Sequence, residues 1–111
     1  MRFQVGQGIL GKITFKDGQE PEYRRTYLIV EVDDEGISVL NVSSLEGKEW
    51  KLAYKTNMKL EHYAPPFVKP SFVKLDSLVK VSFEDCGDIR LLSGGRQLEA
   101  EEMERILGRL G

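Results

Sequence analysis

Apolar and β-branched positions in this chain fall in short runs, alternating or nearly continuous, and the period changes only near the C-terminus. The clearest pair is Arg24-Arg25-Thr26-Tyr27-Leu28-Ile29-Val30-Glu31-Val32 and Ile37-Ser38-Val39-Leu40-Asn41-Val42-Ser43-Ser44. Asp33-Asp34-Glu35-Gly36 joins them, and an acidic turn ending in glycine between two such runs predicts an antiparallel hairpin. The entry of the first strand and the exit of the second are then neighbours, so Arg25 and Ser43 are expected at one edge of the sheet. Residues 9–15 predict an earlier strand, with Gly11 marking a bulge or a close backbone approach. Residues 16–23 read as a loop, punctuated by Asp17-Gly18 and Pro21.

Beyond the hairpin, residues 49–55 alternate Trp50, Leu52 and Tyr54 with polar or small positions, which predicts a half-exposed strand with Trp50 in the core. The pattern fades over 56–66 and Pro65-Pro66 ends regular structure. Residues 67–75 resume it, with Pro70 confining the first part to an edge or a break. Residues 78–83 alternate again, and 89–92 suggest a last short strand. After Ser93-Gly94-Gly95, Leu98, Met103, Ile106, Leu107 and Leu110 follow helical spacing. Glu99, Glu101 and Glu102 load that helix's start and Arg105 and Arg109 its end, as the helix dipole favours. The expectation is a single domain over 1–111: mainly β, a small antiparallel barrel over about 8–93, capped by one α-helix over about 98–110.

Composition narrows the function more than the fold. At 41% hydrophobic and 31% charged the chain reads as a soluble globular protein, and no apolar run approaches a membrane span, so the expected location is cytoplasmic, with no membrane contact. The net charge of -2 gives no global case for a polyanion partner. Its distribution is uneven, since residues 48–80 carry seven lysines against three acids. One cysteine, Cys86, and one histidine, His62, argue against a disulfide framework, a zinc site or a histidine-based triad, and no metal or cofactor is expected. Cys86 reads as a spectator and His62 as a loop histidine.

The candidate chemistry is Arg25, Ser43 and Val73-Lys74-Leu75-Asp76. A guanidinium beside a hydroxyl suits an anion. In a strand Lys74 and Asp76 would share a face, where an ammonium and a carboxylate suit charge stabilisation and general-base work, or simply form a surface ion pair.

These residues also carry a resemblance. The chain resembles toxins of the MazF/PemK (Kid) family, the ribonuclease half of type II toxin–antitoxin pairs. Arg25-Thr26-Tyr27-Leu28-Ile29-Val30 is similar to the family's Arg-Pro-Val-Leu-Ile-Val strand, and Gly18-Gln19-Glu20 to its Gly-x-Glu loop. Residues 37–43 resemble the strand ending in the family's threonine, with Ser43 in its place. Residues 73–81 resemble its Val-Arg-Cys-Asp-Gln-x-Arg-Thr-Ile segment, and 98–110 its closing helix.

The resemblance implies an SH3-like barrel and metal-independent cleavage of single-stranded RNA, in which the substrate's 2'-OH attacks the adjacent phosphorus and leaves a 2',3'-cyclic phosphate. It implies catalytic roles for Arg25, Ser43, Asp76 and Lys74, and RNA contacts from Arg24, Gln19, Glu20, Ser44, Tyr23 and Phe67, with Tyr54 a further aromatic able to stack a base. It also implies a homodimer and a cognate antitoxin protein. Thr26, Ser43 and Lys74 depart from the family pattern and leave an alternative reading: an SH3-like barrel that has lost cleavage and binds protein or nucleic acid.

Overall fold

The protein is described by a computed structural model over residues 2–14 and 17–110. Its strands are β1 (Gly8–Gly11), β2 (Arg25–Val32), β3 (Gly36–Ser44), β4 (Asn57–Lys59), β5 (Ser71–Lys74), β6 (Val79–Ser82) and β7 (Arg90–Leu91), followed by helix α1 (Ala100–Leu110). All pairings are antiparallel, in the order β4-β5-β3-β2-β1-β7, and β6 also pairs with β3. The architecture is mainly β with one C-terminal helix, and the ladder ends at β4 on one side and β7 on the other. Among the described residues no helix is long and apolar enough to cross a membrane.

The β2–β3 hairpin is built at its turn by one side chain. Asp33 Oδ1 accepts the Glu35 and Gly36 amides at 2.8 and 3.0 Å, and its own N–H donates to the Gly36 carbonyl. Gly36 has no substitute here, because a Cβ would run into the Val81 carbonyl of the paired β6. The register shifts between Ile29 and Glu31, a bulge that bends the long strand.

Strand alternation then feeds two cores from one wall. Leu28, Val30, Leu40 and Val42 face Met58, Leu60, Phe67 and Val73, with Leu98, Met103 and Ile106 of the C-terminal segment closing that side. Tyr27, Ile29, Ile37 and Val39 point the other way, onto Phe3, Ile9, Ile13, Val81, Cys86 and Ile89. Glu102 is buried beneath the helix, where it accepts the Glu61 amide at 3.0 Å and lies 3.7 Å from Arg105. Leu107, expected on the buried stripe, is instead exposed.

Several sequence expectations are corrected. Residues 49–55 form no strand: Glu49–Ala53 is a 3-10 helix with no buried residue, and Trp50 is 61% exposed rather than in the core. Gly47 takes a positive φ of 71°, and from there the amides of Lys48, Lys51 and Tyr54 each bond the carbonyl three residues back, so no ladder is left for alternation to serve. Strand β4 lies where the pattern fades. Strand β1 stops at Gly11; Phe15 and Lys16, where strand and loop were expected to meet, lie outside the described residues.

The segment after β5 matters most for the site. β3 is paired at Val42–Ser44 by β5 and at Gly36–Val39 by β6, and between them the 3-10 turn Leu75–Ser77 steps out of the ladder. Lys74 and Asp76 are therefore not alternate residues of one strand. The gap this leaves opposite Asn41 is filled by a side chain, since the Asn41 amide donates to Ser77 Oγ at 2.8 Å and the Ser77 hydroxyl donates to the Lys74 carbonyl at 2.6 Å.

Candidate functional site

Register decides which side chains meet. β2 and β3 pair Thr26 with Val42 and Tyr27 with Asn41, which sets Arg25 across from Ser43 at the open end of the hairpin. β3 and β5 pair Ser43 with Phe72, and β5 and β4 pair Lys74 with Asn57. Arg25, Tyr27, Asn41, Ser43 and Lys74 thus share one face of the sheet, at the end where its apolar lining gives way to polar groups.

A polar lattice holds them. The Ser43 hydroxyl donates to Asn41 Oδ1 at 3.4 Å, and Asn41 Nδ2 donates to the Thr26 carbonyl at 3.2 Å. Through its amide and Ser77, Asn41 is also tied to Lys74. Arg25 is half-buried, and its guanidinium lies 4.7 Å from the Tyr23 ring centroid, a cation–π contact on an exposed tyrosine.

The electrostatics of Lys74 report the company it keeps. Partial burial pushes its ammonium below the ordinary lysine range, Lys51, Arg25 and Lys48 push the same way, and Asp76 pulls it back. Three cations therefore act on one half-buried ammonium, a field that favours a dianionic or monoanionic oxygen cluster such as a phosphate. Asp76 stands exposed in the 3-10 turn, within electrostatic reach of Lys74 but beyond ion-pair distance.

Beside the cluster opens a cleft of about 240 Å³, lined by Thr14, Asp17, Tyr27, Asn41, Ser77 and Val79 among others. Tyr27 is 3% exposed; burial raises its phenol, and the Ile13 backbone and Arg25 ease it back. Its hydroxyl makes no hydrogen bond of regular geometry with a described residue.

The remaining residues expected to touch RNA divide. Tyr23 stands with Arg25, and Arg24 is exposed beside it. Gln19 and Glu20 are exposed in the loop before β2; Gln19 bonds Asp17 through its backbone, and Glu20 lines a different cleft with Lys12, Val79 and Lys80. Ser44 alternates onto the opposite face from Ser43, where it accepts the Glu46 amide at 3.2 Å. Phe67 is 4% exposed in the helix-side core and offers no ring face to a base. His62 is exposed, 4.0 Å from Glu99, and Cys86 is buried, its thiol donating to the Ser82 carbonyl.

Asn41 and Ser77, which tie the cluster together, were not singled out in the sequence. One signal was there: an asparagine inside the apolar run 37–42, at a position whose alternation faces the core.

No family model and no curated protein matches this chain. Among the described residues no group of three or more His, Cys, Asp or Glu side chains gathers in a way that would hold a metal ion. What the arrangement offers is Arg25, Lys74 and the Ser43 hydroxyl on one sheet face, with the Asp76 carboxylate in electrostatic reach of Lys74 and a cleft alongside that Asn41 and Ser77 help to line.

Proposed function

We propose that the protein is an RNA-cleaving toxin of the MazF/PemK type, acting on single-stranded RNA through the substrate's own 2'-OH and needing no metal. The observation behind this reading is the convergence of Arg25, Ser43 and Lys74 on one sheet face, with Lys48, Lys51 and Asp76 within electrostatic reach of the Lys74 ammonium. An in-line attack by a 2'-oxygen requires cations around the developing phosphorane, a proton acceptor and a proton donor, but no protein nucleophile. In this reading Arg25 and Lys74 neutralise the phosphorane, and Ser43 donates a hydrogen bond to a non-bridging oxygen. Asp76 accepts the 2'-OH proton as the 2'-O–P bond forms. Lys74, pushed below the usual lysine range, returns a proton to the departing 5'-oxygen as the P–O bond breaks. An SH3-like barrel, a homodimer and an antitoxin partner belong to the same reading.

A second reading rests on the separation of Asp76 from Lys74: a cationic cluster with no carboxylate in contact would bind a phosphate without turning it over. One experiment distinguishes the two. Purified protein is incubated in EDTA with single-stranded RNA of mixed sequence, beside Arg25→Ala, Lys74→Ala and Asp76→Asn. The toxin reading expects 2',3'-cyclic phosphate ends with the wild type and at least a hundredfold slower cleavage in each variant. RNA that binds and stays intact selects the binding module; equal cleavage by all four proteins removes the site.

A further inference from the structure

Trp50 and Tyr54 are exposed large aromatics, 61% and 56% accessible, in a segment that buries nothing of its own. Removing a tryptophan ring from the core to water forgoes a large favourable transfer, so this placement is not a packing solution. Their rings meet edge to face, with centroids 6.1 Å apart and planes at 66°, an arrangement that leaves ring surface uncovered. Lys51 Nζ lies 5.6 Å from the Trp50 ring centroid. Along the chain the pattern is Lys48-Glu49-Trp50-Lys51-Leu52-Ala53-Tyr54-Lys55, three cations interleaved with two rings.

The segment is anchored to the candidate site. Asn57 Nδ2 donates to the Lys51 carbonyl at 2.9 Å, Asn57 is the register partner of Lys74, and the Leu75 amide donates to the Thr56 carbonyl at 2.7 Å. The aromatic pair therefore sits one strand over from Lys74, on the flank where Lys48 and Lys51 extend the positive field.

We infer that Trp50 and Tyr54 form a stacking platform for unpaired bases flanking the phosphate held by Arg25, Ser43 and Lys74. The inference rests on the RNA reading above and adds positioning residues to it. Bases stack on such rings whatever their identity, while interleaved lysines follow the backbone, which is how single strands are held without hydrogen-bond readout. A protein partner would also use exposed aromatics, but the cations between and over the rings suit a strand of phosphates better.

Trp50 is the only tryptophan in the chain, so its fluorescence reads the platform directly. The probe is an uncleavable 2'-O-methyl oligonucleotide of mixed sequence, with an abasic oligonucleotide of equal length as control. Binding is followed by anisotropy of a label on the probe. The expected result is quenching of Trp50 emission that saturates with binding, and no quenching by the abasic strand. Trp50→Ala is expected to weaken binding of the base-carrying strand roughly fivefold to a hundredfold, with Trp50→Phe restoring most of it. Both variants should fold, since the segment carries no core residue. Unchanged emission with full binding, and unchanged affinity in Trp50→Ala, overturns the platform and leaves the RNA reading standing. Failure of both strands to bind overturns the RNA reading and the platform with it. Quenching by an oligoglutamate peptide and not by the oligonucleotide overturns the platform in favour of a protein partner.

Discussion

Ser77→Ala is the sharpest test of how the fold holds the site. The hydroxyl accepts the Asn41 amide at 2.8 Å and donates to the Lys74 carbonyl at 2.6 Å, in the gap where β5 leaves the ladder and β6 has not yet joined it. Asn41 is 6% exposed, so its orphaned N–H has little access to water, and a buried donor left unmade costs about 1–3 kcal/mol. Lys74 is half-exposed, and water replaces the lost donor at its carbonyl at little cost. The expected destabilisation is therefore about 2 kcal/mol. At roughly 2.1 cal/mol/K per residue, 111 residues give an unfolding entropy of about 0.23 kcal/mol/K, and about 2 kcal/mol lowers Tm by about 9 °C. The assay is thermal and urea unfolding followed by far-ultraviolet circular dichroism, because exposed Trp50 is a poor reporter of folding. Amide exchange at Asn41 serves as the local readout, and Ser82→Ala, which loses only an exposed bond to Asp85, as the control. A loss below about 0.5 kcal/mol, with the Asn41 amide still protected, would refute the claim that this hydroxyl closes the sheet.

Other expectations follow from single contacts. Gly36→Ala forces a Cβ against the Val81 carbonyl and should cost about 1–3 kcal/mol by urea unfolding, with the β3–β6 amides losing protection first. Phe67→Ala should cost about 3–5 kcal/mol as a core truncation, while Ser44→Ala on the same loop's flank stays within about 0.5 kcal/mol. Asp33 is held down to about 2 by Lys80 at 2.6 Å and by the Glu35 and Gly36 amides. Its folded value lies below the unfolded one near about 4, so its stabilisation is full above that pH and fades as pH falls towards about 2. Asp33→Asn should flatten that part of the stability profile; an unchanged profile would contradict it. Lys74, held below the ordinary lysine range, should lose its charge as pH rises before a free lysine does, so affinity for an uncleavable oligonucleotide declines early on the alkaline side. Lys74→Arg should move that decline upward, and identical profiles would exclude Lys74 from the phosphate site.

The hairpin was legible because its signals are local: alternation, β-branching and an Asp-to-Gly turn all act within a few residues. The helix was legible for the same reason, although Leu107 shows that periodicity marks a stripe wider than the partner surface covers. Residues 49–55 misled because alternation of Trp50, Leu52 and Tyr54 looks the same in a strand and in successive turns; only the missing partner ladder tells them apart. Strand β4 was invisible for the converse reason. Asn57, Met58 and Lys59 have little β character, and pairing with β5 imposes the conformation. Of the site, the adjacency of Arg25 and Ser43 was readable from hairpin geometry. That Lys74 joins them depends on the β3–β5 register, and that Ser44 faces away follows from alternation once the register is known. Phe67 was expected among the RNA contacts only through the family resemblance, yet it is drawn into the helix-side core.

The wall shared by the two cores has a consequence for motion. Leu28 and Ile29 are chain neighbours that serve opposite cores, as are Val39 and Leu40. Neither core can loosen without stripping the backing from the other, so partial opening of β2 or β3 has no low-energy route short of global unfolding. Slow amide exchange in both strands should therefore converge on one free energy, the global one. Arg25 and Ser43 sit at the end of this doubly braced plank, while Trp50, Tyr23 and Asp76 sit on segments outside it. Amide exchange should therefore be slowest on the strands that carry Arg25 and Ser43, and faster on the segments that carry Trp50, Tyr23 and Asp76.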